Sequence, residues 1–126
     1  MFKLDLNLTI IAKTFEDLIA WQKAKQLGIA IYLKAPKEKD YNFYDQIKRA
    51  GLSISNNIAE GFGRKSQKDF KRFLQIALGS TNEVKSMVLL GKEIGVIEPN
   101  LAKELEQMAT EVTKILIGLS SKIKTD

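Results

Sequence analysis

Five basic side chains lie within nine consecutive residues near the middle of the chain, and they are the residues best suited to binding chemistry. They are Arg64, Lys65, Lys68, Lys71 and Arg72, with Asp69 as the one acid among them. The segment therefore carries +4 of the chain's net charge of +5. Lysine and arginine bind nucleic-acid phosphates largely without regard to sequence. The cluster favours a nucleic-acid partner, although a solvated start of a helix would have the same composition.

A second set of polar side chains follows one line along a helix predicted for residues 41–60. Taken at 100° per residue, these side chains fall within an arc of about 80°. The stripe consists of Gln46, Arg49, Ser53, Asn57 and Glu60. It borders the apolar face formed by Ile47, Ala50, Gly51, Ile54 and Ile58. Amide and hydroxyl groups beside a core must find hydrogen-bond partners there.

Three interpretations of this helix-two stripe remain open. It is an internal network in which Arg49, Glu60 and Arg64 form ion pairs and Asn57 satisfies a loop backbone. Alternatively, it is a contact between subunits, because amides and an arginine beside apolar residues suit a buried interface. The third interpretation is a ligand or catalytic site that uses Glu60.

The composition excludes most catalytic chemistry. The chain has no Cys and no His, so thiolate nucleophiles, imidazole bases and the common zinc, copper and haem sites are excluded. Carboxylate chemistry with magnesium is the main kind of catalysis that the composition leaves open. A lone carboxylate such as Glu60 forms no recognisable acid–base or metal constellation. We therefore predict no catalytic residues, no metal ligands and no cofactor.

The first two helices are bounded by residues that start or stop helices. Thr14 is a good N-cap for a helix that runs to about Lys34, where Pro36 stops it. Asp40 caps the second helix over residues 41–60, which Gly61 and Gly63 end.

The last two helices are bounded in the same way. Ser66 and Asp69 resemble a capping box that opens a third helix continuing to Ile94. Pro99 suits the first turn of a fourth helix. Because four amphipathic helices with short connections pack most economically as antiparallel neighbours, the sequence predicts an all-α, up-down-up-down four-helix bundle.

The N-terminal segment differs from the rest of the chain. Apolar and polar residues alternate over residues 1–11, which predicts a solitary strand rather than a signal peptide. We expect this strand to pair with another subunit or to be poorly ordered. The predicted organisation is an extension over residues 1–13 and a bundle domain over 14–126. No segment is apolar enough for a membrane span, and we expect a cytoplasmic protein.

Three stretches of the sequence closely resemble one protein family. They are FEDLIAWQKA, YDQIKRA and SISNNIAEGFGRKSQKDFKRFLQIALGSTNEVK. The chain is similar, over about residues 15–117, to the 23S ribosomal RNA intervening-sequence proteins, also labelled S23 ribosomal proteins. That family is similar in fold to the accessory variability determinant of diversity-generating retroelements. Two features depart from the family pattern: the extension over residues 1–13 and the longer, more aromatic segment APKEKDYNFYDQ.

The resemblance implies an antiparallel four-helix bundle that assembles into a homopentameric ring with basic surface suspected of binding RNA or DNA. It implies no catalytic activity. Its motif falls on the helix-two stripe, on the NIAEGFGR segment and on a stretch of helix three that ends at Glu83. The family label refers to where a gene lies within ribosomal RNA, and does not define a mechanism.

We therefore expect a non-enzymatic oligomer that binds the backbone of RNA or DNA through the basic cluster. The helix-two stripe and Glu83 are expected to be an oligomer interface or a structural motif. The alternative is a protein-interaction scaffold, for example an accessory subunit of a reverse transcriptase, with no direct role in nucleic-acid binding.

Overall fold

The protein is described by a computed structural model that covers residues 2–3, 11–35 and 40–124. Four α-helices occupy most of these ranges: α1 (Ile19–Lys34), α2 (Tyr41–Phe62), α3 (Gln67–Glu93) and α4 (Pro99–Lys122). Each helix packs mainly against the neighbours that precede and follow it, and α1 closes the ring against α4. The predicted all-α, up-down-up-down four-helix bundle is confirmed.

The core is continuous through the four helices. Its largest fully buried side chains are Leu27, Ile31, Ile47, Ile54, Ile58, Phe70, Leu74, Val84, Val88, Ile97, Leu105 and Leu116. The buried hydroxyl of Thr81 donates to the carbonyl of Ala77 at 2.8 Å, so a polar group inside the core keeps a hydrogen bond.

The cap residues of α2 and α3 act as predicted. The carboxylate of Asp40 accepts a hydrogen bond from the backbone N–H of Phe43 at 3.0 Å. The hydroxyl of Ser66 accepts from the backbone N–H of Asp69, also at 3.0 Å. Each cap satisfies an N–H group that has no partner within the helix.

The start of the first helix differs from the prediction. A 3₁₀ turn occupies Phe15–Asp17, and Leu18 is extended before α1 begins at Ile19. The Asp17 carboxylate accepts hydrogen bonds from the backbone N–H groups of Lys13 and Thr14 at 2.9 and 3.2 Å. These bonds fold the chain back on itself, and they lower the pKa of the Asp17 carboxyl because they stabilise its charged form.

Two helix ends also shift. The second helix continues through Gly61 to Phe62, because Gly61 is buried in the helix and packs against Phe73 instead of ending the helix. The third helix ends at Glu93, one residue before the predicted Ile94, and Gly95 then turns the chain with φ of +80°. Glycine adopts this left-handed conformation without the steric penalty of a Cβ.

The predicted solitary strand is wrong at its two described ends. Residues Phe2–Lys3 (β1) pair antiparallel with Ile11–Ala12 (β2) of the same chain, in the register Phe2 to Ala12 and Lys3 to Ile11. Residues 4–10, which complete the predicted strand, lie outside the described residues, as does Pro36. In the described part of the chain, no helix is both long enough and apolar enough to span a membrane.

Two glycines inside helices provide a matched pair for measuring this packing. A Cβ on Gly61 would lie 2.5 Å from the Cβ of Phe73, whereas a Cβ on Gly79 would meet nothing within 4 Å. We expect Gly61→Ala to lower the free energy of unfolding by about 1–3 kcal/mol, because the helices must separate. In the isolated subunit, Gly79→Ala should raise it by about 1 kcal/mol through helix propensity. Urea denaturation measures both, and equal effects of the two changes would contradict this packing.

Candidate functional site

The predicted basic cluster lies where α2 turns into α3. Arg64 and Lys65 are in the turn, and Lys68, Lys71 and Arg72 are in the first two turns of α3. Phe70 and Leu74 alternate with them and are buried, so the helical period directs the basic side chains away from the core. The structure thus brings all five predicted basic residues to one end of the bundle.

The two arginines of this cluster converge on one aromatic ring. The Cζ of Arg64 lies 5.0 Å from the ring centroid of Phe73, and the Cζ of Arg72 lies 4.6 Å from it. Each guanidinium also has a carboxylate partner: Arg64 Nη2 lies 3.0 Å from Glu60 Oε1, and Arg72 Nε lies 3.7 Å from Asp69 Oδ1. The arginines are therefore held in place by stacking and by charge.

The three lysines of the cluster have no such partners. In the ranges that the structure describes, no carboxylate lies within ion-pair distance of Lys65, Lys68 or Lys71. Lys65 and Lys68 are exposed, and Lys71 is partly exposed. Exposed lysines of this kind can bind phosphates by displacing the counterions of a polyanion.

The antiparallel topology adds a further cation to this end of the bundle. The amide of Gln75 on α3 donates to the hydroxyl of Ser120 on α4 at 3.3 Å, so the last turn of α4 lies beside the first turns of α3. Lys122 occupies that last turn and is exposed. Lys122 could not be assigned to this surface from the sequence, because about fifty residues separate it from the basic cluster.

The internal network predicted for the helix-two stripe is only partly present. Arg64 does pair with Glu60, but Arg49 pairs with Asp45 at 2.9 Å. Arg49 and Glu60 are eleven residues apart, which is about 16 Å along a helix, so they are too distant to pair. The same interpretation has Asn57 satisfying a loop backbone; instead its Nδ2 donates to the carbonyl of Ser53, within α2, at 2.8 Å. The internal-network interpretation is therefore wrong for the pairing of Arg49 with Glu60 and for Asn57.

The stripe instead makes its longer-range contacts with α3. The hydroxyls of Ser53 and Ser80 lie 2.9 Å apart, and the Ser53 hydroxyl also accepts from Asn57 Nδ2 at 2.9 Å. Nearer the start of α2, the amide of Gln46 donates to the carboxylate of Glu83 at 3.1 Å. Gln46, Ser53, Asn57 and Glu83 are therefore brought together along the seam between α2 and α3, which we call the α2–α3 seam.

An open groove of about 570 Å³ follows part of this seam. Its walls are polar at the surface, and the side chain of Arg49 is 78% exposed above it. The lining residues are Asn42, Asp45, Gln46, Arg49, Ala50, Ser53, Ser80 and Glu83. Glu60 is not among them. The groove can form hydrogen bonds to a polar surface, but its arrangement does not place a nucleophile beside a base.

No group of three or more acidic side chains in residues 2–3, 11–35 and 40–124 could hold a metal ion. Two contacts were not predicted from the sequence. Ser80 and Phe73 fall on the helix-three stretch that the family resemblance covers, but the hydroxyl contact of Ser80 with Ser53 and the position of the Phe73 ring beneath the two arginines were not expected. The serine pair could have been found by aligning the two helices in antiparallel register, whereas the position of Phe73 depends on how closely the helices pack.

Comparisons with known proteins agree with the four-helix fold. Residues 16–118 match the family model described as 23S rRNA-intervening sequence protein. The chain belongs to this family. The predicted family resemblance is therefore confirmed over nearly the whole bundle. No curated protein matches the chain.

A solved structure of this family is also similar. It is the crystal structure of a protein with unknown function from the S23 ribosomal protein family of Bacteroides thetaiotaomicron VPI-5482. The two chains are 26% identical, with a TM-score of 0.77, and the match covers 84% of this chain and 98% of the other. No enzymatic activity is named in the description of the family or of this structure.

Ser53 and Ser80 allow a test of whether contacts along the α2–α3 seam stabilise the fold of this 23S rRNA-intervening sequence protein. Ser53→Ala and Ser80→Ala should each lower the free energy of unfolding by about 0.5–1.5 kcal/mol. Because both changes remove the same hydrogen bond, the double variant should lose less than the sum of the two.

Ser55→Ala is the matched control on the same helix. Its hydroxyl reaches only the carbonyl of Leu52, at 3.5 Å, so the change should stay within about 0.5 kcal/mol. Strictly additive losses at Ser53 and Ser80 in denaturant unfolding would show that their hydroxyls do not interact.

Proposed function

We propose that this protein is a non-enzymatic, oligomeric four-helix bundle that binds the phosphate backbone of RNA or DNA through its basic cluster. The observation that carries the proposal is a set of three lysines at one end of the bundle, Lys65, Lys68 and Lys71, that form no ion pair with any described carboxylate. The two arginines and Lys122 extend the same cationic surface.

The physical basis is the release of counterions. Each lysine that replaces a condensed cation at a phosphate contributes a roughly equal increment to the salt dependence of binding. Carboxylates close to the cluster, those of Glu60 and Asp69, are paired with Arg64 and Arg72, so they do not neutralise the lysines. Binding of this kind is largely independent of base sequence.

The salt dependence of binding to RNA and to duplex DNA tests the nucleic-acid part of the proposal. The triple variant Lys65→Ala, Lys68→Ala and Lys71→Ala should bind both ligands more weakly between about 50 and 200 mM salt. For duplex DNA, removing one lysine–phosphate interaction should lower the slope of log affinity against log salt by about 0.9. Fluorescence anisotropy of labelled oligonucleotides measures both quantities.

A control variant that loses three lysines elsewhere distinguishes binding at the basic cluster from an effect of net charge. Lys92→Ala, Lys103→Ala and Lys114→Ala remove three exposed cations from α3 and α4 outside the basic cluster. This variant should keep most of the wild-type affinity. If the wild type binds neither RNA nor DNA at the lowest salt, the nucleic-acid proposal is wrong and the scaffold alternative gains support.

The α2–α3 seam supports the oligomeric part of the proposal. Apolar side chains are exposed at Ile76 and Leu90 of α3 and at Ile94, which follows the helix. Gly79 is exposed between them, and nothing in the described structure approaches the position of its Cβ. A helix-interior glycine costs about 1 kcal/mol relative to alanine, and close approach of a second subunit would explain it. The family resemblance makes a homopentameric ring the assembly we propose.

A bulky side chain at Gly79 should therefore block assembly without disturbing the subunit. We expect wild-type protein at tens of micromolar to be oligomeric by light scattering and Gly79→Trp to be monomeric with unchanged helix content. Gly118→Trp on the outer face of α4 is the matched control, because its Cβ position is equally open. A monomeric wild type would refute the oligomer, and an oligomeric Gly79→Trp variant would refute this face as the interface.

A further inference from the structure

The arginines and the lysines of the basic cluster differ in how they are held. We propose that Arg64 and Arg72 form a single guanidinium subsite for phosphodiester groups and that Phe73 is its positioning residue. This inference rests on the proposed function, since it specifies how the same surface holds a nucleic-acid backbone. The three lysines then provide attraction over a distance, and the arginine pair provides the fixed contact.

The two guanidinium groups lie against one aromatic ring. Their Cζ atoms lie 5.0 and 4.6 Å from the same ring centroid. They are therefore at most 9.6 Å apart, the sum of those two distances. Two cations at this separation repel each other, and an anion that both can reach relieves the repulsion. A phosphate carries the negative charge and the acceptor oxygens that such a pair binds.

The platform beneath the arginines is rigid. Phe73 is only 6% exposed, and its ring is fixed between α3 and the last turn of α2. Gly61 permits this position, because a Cβ there would lie 2.5 Å from the Cβ of Phe73 and 3.2 Å from its Cγ. Arg64 follows α2 and Arg72 belongs to α3, so the close contact of the two helices brings both arginines over one ring.

Each arginine keeps donors available for a ligand. A guanidinium has five N–H groups in a planar fork. In the described residues, Arg64 uses Nη2 toward Glu60 and Arg72 directs Nε toward Asp69. The arginine side chains remain 45% and 58% exposed. The two carboxylates hold the guanidinium groups in place in the free protein. A phosphate can bind the guanidinium N–H groups that do not face a carboxylate.

Lysine cannot reproduce this arrangement. An ammonium group is a point charge on a flexible stem, whereas a guanidinium stacks on an aromatic face and binds two phosphate oxygens at once. Replacing the arginines by lysine therefore keeps the charge and removes the planar group that binds two phosphate oxygens. This difference separates a built subsite from a merely cationic surface.

The test compares two variants of unchanged charge. Arg64→Lys with Arg72→Lys should weaken binding of a single-stranded oligonucleotide about tenfold, the loss expected for one charge-assisted hydrogen bond. Its salt slope should stay near that of the wild type, since no charge is lost. The matched control is Lys68→Arg with Lys71→Arg, which should stay within about twofold of the wild type, because the cationic groups over the Phe73 ring in the described structure are those of Arg64 and Arg72.

A second variant tests the positioning role of Phe73. Phe73→Leu keeps a buried apolar side chain and removes the ring, and it should weaken binding in the same direction as the arginine change. Phe73→Tyr keeps the ring and should restore the affinity. Thermal unfolding followed by circular dichroism confirms that each variant is folded at the temperature of the binding measurement.

The outcomes separate this inference from the proposed function. Binding of the double lysine variant within twofold of the wild type would overturn the subsite and leave the basic surface in place. A lowered unfolding temperature with unchanged affinity would also overturn it, because the arginines would then serve only to cover Phe73. Inorganic phosphate, titrated as a competitor, should displace the oligonucleotide only weakly. Displacement at comparable concentrations would assign the subsite to free phosphate instead of a strand.

Discussion

The close contact between the end of α2 and the start of α3 determines most of what this protein can do. At Gly61 the helix backbone approaches the Cβ of Phe73 more closely than a second Cβ would allow. Because Gly61 has no side chain, Phe70 and Phe73 can pack directly against α2 and close one end of the core. This contact also fixes the short turn that carries Arg64 and Lys65. The same packing that stabilises the bundle therefore sets the geometry of its cationic end.

Topology explains why charge accumulates at that end. In an up-down-up-down bundle the end of α2, the start of α3 and the end of α4 lie together, as the bond between Gln75 and Ser120 shows. A lysine in the last turn of a helix is favoured by the negative end of the helix dipole, which suits Lys122. The basic segment at the start of α3 has no such advantage and costs some helix stability. A binding role for the segment would account for that cost.

Much of the fold could be predicted from the sequence, because local signals decide it. Asp40, Ser66 and Pro99 mark helix starts through side-chain or ring chemistry that acts within a few residues. The errors had two causes. Gly61 looks like a helix stop until a distant residue, Phe73, lies against it, whereas Arg49 has a local acid one turn away, Asp45, that the stripe pattern did not include. The basic residues of the site were visible in the composition, whereas the convergence of two arginines on Phe73 depends on the distance between helices.

The two proposed surfaces reinforce each other because they lie on the same pair of helices. The α2–α3 seam contains the groove and the serine pair, and the basic cluster lies beyond its end, so self-association along the seam would repeat the cluster at fixed spacing. A weak contact to a polyanion then becomes strong, since every binding event after the first occurs at a high effective concentration. Such binding requires no base recognition and no catalytic group. If the proposed function holds, a small bundle without His or Cys acts on a nucleic acid by geometry and charge alone.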